Sequence, residues 1–224
     1  MKEELRKFIA TADKGEVSAI LMQPERATHL LVLGHGASTS MRHATMQRIA
    51  EVQAEQRIAT FRYNFPYSEN GTSRNSNATC IETIRSAVRA AHQAAPDLPL
   101  LAGGHSFGGR MTTTAQSEEP LVNVKGLVLF SFPLHLAGRP DTKRAEHLSA
   151  IEIPMLFLSG TRDELATLDL LKPVVTRLGK RATLHLLDTA NHSYKILKKT
   201  RESTEDVFDE IARATWEWLD KSDI

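Results

Sequence analysis

The sequence predicts an α/β fold, a mostly parallel mixed sheet flanked by helices, on three observations. Short apolar, β-branched runs alternate with longer amphipathic stretches along the chain. The apolar runs from residue 29 onward are hydrophobic on both faces, as strands covered by helices on both sides must be. The first two runs flank a tight Asp13-Lys14-Gly15 turn, which makes them an antiparallel hairpin and the sheet mixed.

Taken in order, residues 5–11 (LRKFIAT) and 16–22 (EVSAILM) form the hairpin. The strands that follow are 29–36 (HLLVLGHG), 57–63 (RIATFRY), 98–104 (LPLLAGG), 124–131 (VKGLVLFS), 153–160 (IPMLFLSG) and 182–188 (ATLHLLD). Helical patterns lie between them at about 41–56, 77–95, 107–118, 143–149 and 164–179. A last helix is predicted from near Ser203, where Ser203-x-x-Asp206 is close to a capping box. Its apolar positions Val207, Phe208, Ile211, Ala212, Thr215, Trp218 and Leu219 follow helical spacing. Segments 64–76 and 132–142 show no clear periodicity, and each follows a strand end. Ligands of open α/β sheets bind outside those ends, so these two loops are the expected walls of a site. No repeat or linker divides the chain, and one domain over 1–224 is expected.

Composition narrows the function. The net charge of +1 argues against a nucleic-acid or membrane-surface binder. Apolar runs such as LLVL and LVLF are far too short to span a bilayer. The opening MKEELRKFIATADKGE mixes charges throughout and lacks an apolar signal core. The single cysteine, Cys80, has no internal disulfide partner, so a reducing, cytoplasmic location is expected. No spacing among histidines, cysteine and acids looks like a metal site, and no metal is expected.

The chemistry is concentrated in Gly104-His105-Ser106-Phe107-Gly108, a G-x-S-x-G pattern between the strand LPLLA and a helix. A strand that turns straight into a helix holds the serine at a strained apex. The residues two before and two after then crowd together, and only very small ones fit. Thr112, Thr113 and Thr114 in that helix are poor helix formers, so burial has to compensate.

A serine hydroxyl needs a base to take its proton. Of nine histidines, His192 in DTANHS follows the last predicted strand and so falls at the same sheet end as Ser106. The base in turn needs an acid to fix its tautomer. Asp163, in SGTRDEL, follows the strand IPMLFL and opens a helix, where an aspartate also makes a good N-cap. The order Ser106, Asp163, His192 is the Ser…Asp…His order of nucleophile-elbow hydrolases. Donors for a developing oxyanion are expected from the Phe107 and Ala37 amides, the latter in the loop Gly34-His35-Gly36-Ala37-Ser38. His35 is expected to brace that loop.

Together, GHSFGG, GTRDELA, ANHS and LGHGAS resemble the α/β-hydrolase superfamily over essentially the whole chain. FRYNFPYS (61–68) and GHSFGGRM (104–111) are similar to its small predicted hydrolases related to the dienelactone hydrolase group. The resemblance implies an eight-stranded mixed sheet, no metal and no organic cofactor. Dienelactone hydrolase uses a cysteine nucleophile where this chain has Ser106, so its substrate is not carried over. Ser106 and Asp163 are separated by 57 positions (163 − 106) and Asp163 and His192 by 29 (192 − 163). That leaves no room for a large cap domain, only for a short strap over about 132–152 carrying Leu134, His135, Leu136 and the 143–149 helix.

Gly36, Tyr63, Phe65 and Tyr67 are the candidate substrate-lining residues, since they lie at or just beyond strand ends on the active-site side. Arg110, one turn into the helix after Ser106, is assigned a structural role, with contact to an anionic substrate as its other reading. The basic run Lys195, Lys198, Lys199, Arg201 is read as a solvated face, and Cys80 as a small core residue. The expectation is a serine hydrolase of small esters or thioesters, monomeric or homodimeric, whose activity falls below roughly neutral pH because free imidazole titrates near ~6.5. The competing expectation is an inactive scaffold that kept the fold and binds other proteins.

Overall fold

A computed structural model of the protein describes residues 2–222 and Ile224. In chain order the strands are β1 (Lys2–Thr11), β2 (Gly15–Gln23), β3 (His29–Gly34), β4 (Ile58–Tyr63), β5 (Leu100–His105), β6 (Val124–Phe130), β7 (Met155–Gly160) and β8 (Ala182–Leu187). The helices are α1 (Ala44–Glu55), α2 (Pro66–Glu69), α3 (Asn77–Ala94), α4 (Phe107–Glu118), α5 (Leu168–Leu178) and α6 (Val207–Ser222), with 3-10 segments at Lys143–Ala150 and Gly179–Arg181. The eight strands form one sheet in the order β1-β2-β4-β3-β5-β6-β7-β8. β1–β2 and β2–β4 pair antiparallel, and every later pair is parallel. The predicted mixed sheet with helices on both faces is therefore what forms, without a large cap domain.

The chain passes from β3 to β4 on one side and then crosses to β5 on the other, so the strand order reverses at β3 and β5. Crevices open above such a reversal. β3 through β7 are buried along nearly their whole length, which is why they read as unbroken apolar runs. The helices sort onto two faces. Cys80, Ile84, Met111, Leu171 and Val174 of α3, α4 and α5 pack on one, and Met46, Ile49, Ile211 and Trp218 of α1 and α6 on the other. One charge lies inside the sheet. Arg62 is fully buried and donates to Glu3, Gln47 and the Met41 carbonyl, tying β4 to β1 and α1.

Five local expectations need correction. β8 is only partly buried, because it is the sheet edge with no strand beyond it. The 143–149 segment is a 3-10 helix, opened by the Ala145 amide bonding to the Thr142 carbonyl. α5 begins at Leu168 and not near 164, because Asp163 folds 163–166 into a turn by accepting the Leu165 amide at 2.8 Å. α6 starts at Val207, since Asp206 caps it by accepting the Phe208 amide, while Ser203 closes a local turn on Glu205. The 64–76 loop contains α2, whose signal was Pro66 at a first helical position.

Candidate active site

Ser106 stands where β5 turns into α4, with φ 53° and ψ −114°. Such a conformation costs a non-glycine residue on the order of 1–3 kcal/mol and persists only where its surroundings enforce it. Here its amide donates to the Phe130 carbonyl at 2.8 Å, and its carbonyl accepts from Arg110 at 3.1 Å. The flanking glycines are required by backbone contact. A Cβ on Gly108 would fall onto the Gly34 carbonyl, and one on Gly104 would lie 2.7 Å from the Gly108 carbonyl carbon and the Gly109 amide nitrogen. The three threonines of α4 are accommodated by turning each hydroxyl onto a carbonyl, Thr112 onto Gly103 and Gly108, Thr113 and Thr114 onto Arg110.

Ser106, His192 and Asp163 converge from three separate strand ends. Ser106 Oγ lies 2.8 Å from His192 Nε2, and His192 Nδ1 lies 2.8 and 2.9 Å from the two Asp163 carboxylate oxygens. The Asp163 side chain is fully buried, whereas the His192 ring retains 21% exposure. With Nδ1–H donated to a buried carboxylate, Nε2 is left as the acceptor facing the serine hydroxyl. Asp163 thus serves its own turn and the imidazole together.

His105, the variable residue of the G-x-S-x-G pattern, was given no role from sequence. Its ring Nε2 donates to the His192 carbonyl at 3.1 Å, which braces His192 from behind. Burial and then the neighbouring His192 push the His105 pKa down to about 4, so the ring is neutral. The signal was its place beside Ser106, where a buried polar side chain must find a partner. Tyr194 lies under the same loop and bonds the Leu158 carbonyl at 3.2 Å. Arg201 departs from the expected solvated face. Its side chain is buried, bonded to Glu210 and the Asp188 carbonyl, and anchors the far end of the His192 loop, while Lys195, Lys198 and Lys199 are exposed.

His35 braces its loop as expected. Its Nδ1 donates to the Gly36 carbonyl at 2.8 Å and its Nε2 accepts the Phe65 amide at 3.2 Å, and burial lowers its pKa to about 4. The Gly36 carbonyl also accepts from the Thr39 amide and hydroxyl. Because the peptide is planar and trans, the Ala37 amide points the opposite way. Among the described residues neither the Ala37 nor the Phe107 amide donates to a protein acceptor.

The candidate substrate-lining residues fare differently. Tyr63 and Phe65 are fully buried, Tyr67 is 5% exposed and Gly36 is buried. Tyr63 and Phe65 lie beneath the site and do not line it. Their rings pack edge to face, Phe65 stacks on Tyr67, and Phe65 and Tyr67 both meet the Phe107 ring edge-on. The aromatic residues of the 63–67 stretch signalled contact, and the contact is with the core. Cys80 is a buried core residue as read. The 132–150 segment packs its Phe132, Leu134 and Leu148 side chains inward and lies along α4 through a 2.8 Å bond between His147 and Thr113. Among the described residues no helix is long and apolar enough to cross a membrane.

An eight-stranded sheet of this order, turning into a helix at a strained serine, defines the α/β-hydrolase fold. The chain belongs to the alpha/beta hydrolase domain family, whose pattern matches residues 27–220. Among solved structures it is similar to a dienelactone hydrolase from Anabaena variabilis, 17% identical over 99% of this chain and 98% of that one, with a TM-score of 0.75. It is likewise similar to an α/β serine hydrolase without a lid from Xanthomonas campestris, at 15% identity, 99% and 95% coverage and a TM-score of 0.72. A third is Est1E from Butyrivibrio proteoclasticus with bound ferulic acid, at 16% identity, 96% and 98% coverage and a TM-score of 0.75.

Proposed function

We propose that the chain is a serine hydrolase of small ester or thioester substrates, acting through an acyl-enzyme. The observation that carries this reading is the unbroken relay from Ser106 through His192 to Asp163, with 2.8 Å at each join. His192 Nε2 takes the Ser106 proton as Oγ attacks the acyl carbonyl, and Asp163 stabilises the imidazolium that results. The amides of Phe107 and Ala37 receive the oxyanion, each with its hydrogen free for it. His192 then protonates the leaving alcohol or thiol. Water, deprotonated by the same nitrogen, attacks the acyl-serine and releases the acid. The esterase domain of a Rhodothermus marinus protein has the same fold, which supports this class of substrate. We place the enzyme in a reducing, cytoplasmic compartment on its single cysteine, acting as one domain that is monomeric or a homodimer.

A fluorophosphonate probe tests the reading. Labelling that is present in the wild type and absent in Ser106→Ala, with turnover of short-acyl p-nitrophenyl esters lost in parallel, is the expected result. A folded wild-type protein that takes no label and turns over no ester or acyl-CoA would replace the enzyme with the binding scaffold.

A further inference from the structure

Beside Phe107, the residue after Ser106, lies a group of arginines that form no ion pair among the described residues. The guanidiniums of Arg74 and Arg110 sit 5.3 and 5.5 Å from the centre of the Phe107 ring, and Phe107 is the residue next to the serine. Arg110 is four residues beyond Ser106 on α4, roughly 6 Å along the helix axis. Arg144, from the 3-10 segment lying on α4, is near enough that its charge and that of Arg74 add to burial in lowering the Arg110 pKa. The attracting neighbour of Arg110 is the Cys80 thiol, which burial pushes up to about 11 and therefore keeps uncharged at neutral pH.

The contrast with the other buried arginines is sharp. Arg62 has Glu3 and Arg201 has Glu210. Half-buried Arg110 makes no side-chain hydrogen bond and no ion pair among the described residues. A ring face attracts a cation without neutralising it, and a partly desolvated charge without a counter-charge is costly. A second, independent feature is the Tyr67 hydroxyl, which is buried without a hydrogen-bond partner and feels the Arg74 charge. His147 also stays neutral against this potential, its pKa driven down to about 4 by burial and then by Arg110.

Resting on the hydrolase reading above, we propose that the ester cleaved at Ser106 carries a second, negatively charged oxyacid group, a carboxylate or a phosphate, held by Arg74 and Arg110 beside Phe107. Arg144, whose guanidinium also donates to the His135 carbonyl at 3.1 Å, adds charge from the strap side, and the group compensates a cluster that has no counter-charge among the described residues. Two fixed forks suit an oxyanion better than mobile ammonium groups do.

The test compares matched esters that differ in this charge. On the alcohol side these are 3-acetoxybenzoate, 3-acetoxyphenyl phosphate and the neutral methyl 3-acetoxybenzoate. On the acyl side they are monomethyl and dimethyl glutarate. The expected result is a kcat/KM at least tenfold higher for an anionic member of one set than for its neutral partner. That ratio should fall roughly ten- to hundredfold in Arg110→Gln and in Arg74→Gln, the range that bonds to a charged group reach. Whichever anion is preferred names the group. Arg74 is exposed, so Arg74→Gln keeps the test open even where Arg110→Gln fails to fold. Turnover of neutral esters with no preference for charge, or a preference that survives both substitutions, overturns the subsite and leaves the hydrolase reading standing. Absence of both fluorophosphonate labelling and ester turnover overturns the hydrolase reading itself. A loss of melting temperature in Arg110→Gln with the substrate ratio unchanged would make the arginine a clamp of the 64–76 loop and nothing more.

Discussion

Mild acid should destabilise this protein through two histidines that hold the loops around Ser106. His35 and His105 are both buried, and burial is the largest cause lowering each from the ordinary 6.5 to about 4. In the unfolded chain both titrate near ~6.5. Between those values the unfolded state binds more protons than the folded one. Stability is therefore full above about pH 6.5 and drains as the pH falls toward about 4. At pH 5 an unfolded histidine is almost wholly protonated and a folded one of this kind almost wholly neutral. Integrating the linkage from pH 7 to 5 gives about 2 kcal/mol for each ring and about 4 kcal/mol for both. Against a total of ~5–15 kcal/mol that is a large share.

Urea unfolding at pH 7, 6 and 5 reads this directly. With a slope of ~3 kcal/mol per molar, the midpoint should drop by roughly 1 M over the two pH units. Other groups also titrate in this range, so the decisive comparison is with His105→Gln, whose amide can still donate to the His192 carbonyl but takes no proton. The variant should start less stable and then lose about 2 kcal/mol less than the wild type between pH 7 and 5. Midpoints that fall in parallel for the two proteins would refute the account of His105 as a ring kept neutral by burial.

Three further outcomes follow from single contacts. Gly108→Ala places a methyl group on the Gly34 carbonyl and 2.8 Å from the His35 carbonyl. Backbone cannot yield as a side chain can, so a loss of about 3 kcal/mol or more by thermal unfolding is expected, although alanine in an open helix position gains up to ~1 kcal/mol over glycine. Tyr63→Phe removes a buried hydroxyl that has no partner, and urea unfolding should show it neutral or stabilising by up to ~1 kcal/mol. Arg201→Met strips Glu210 of its cation and the Asp188 carbonyl of a donor. It should cost ~3 kcal/mol or more and slow fluorophosphonate labelling, because the loop carrying His192 loses its far anchor.

Much of the architecture was legible because its physics is local. Strands buried on both faces must be apolar on both faces, and so β3 through β7 announced themselves within one or two residues of their ends. The Ser106 turn was legible for the same reason, since crowding leaves glycine as the residue that fits at 104 and 108. What escaped depended on contacts between distant segments. The late start of α5 follows from Asp163 being bonded to Leu165 and to His192 at once. Propensity alone placed that aspartate on a helix. Phe65 is drawn inward by its amide bond to His35, and no pattern of spacing carries that. Arg201 looked like one cation of a basic run until Glu210, on α6, took its side chain inside.

The convergence of the three side chains is a matter of backbone fitting against backbone. At the end of β7, a Cβ on Gly160 would run into the Ala190 carbonyl and lie 3.1 Å from that of Asn191, the residue before His192. The close approach is stitched by Arg162 donating to Ala190 at 2.9 Å and by the Thr161 hydroxyl accepting the Thr189 amide at 2.8 Å. The loop that carries His192 is thereby fastened to the strand end from which Asp163 springs. On the other side, the Gly34 carbonyl is seated between Gly104 and Gly108, which fastens the Ala37 loop to the Ser106 turn. A relay with a 2.8 Å join at each end tolerates only a few tenths of an ångström before a hydrogen bond weakens. Two loops anchored by main-chain contact hold that tolerance more securely than side-chain packing alone, since main chain has no rotamers to change. The glycines around Ser106 and the one before Asp163 thus have one purpose: each removes a side chain so that a loop bearing part of the site can lie directly on the strand end beneath it.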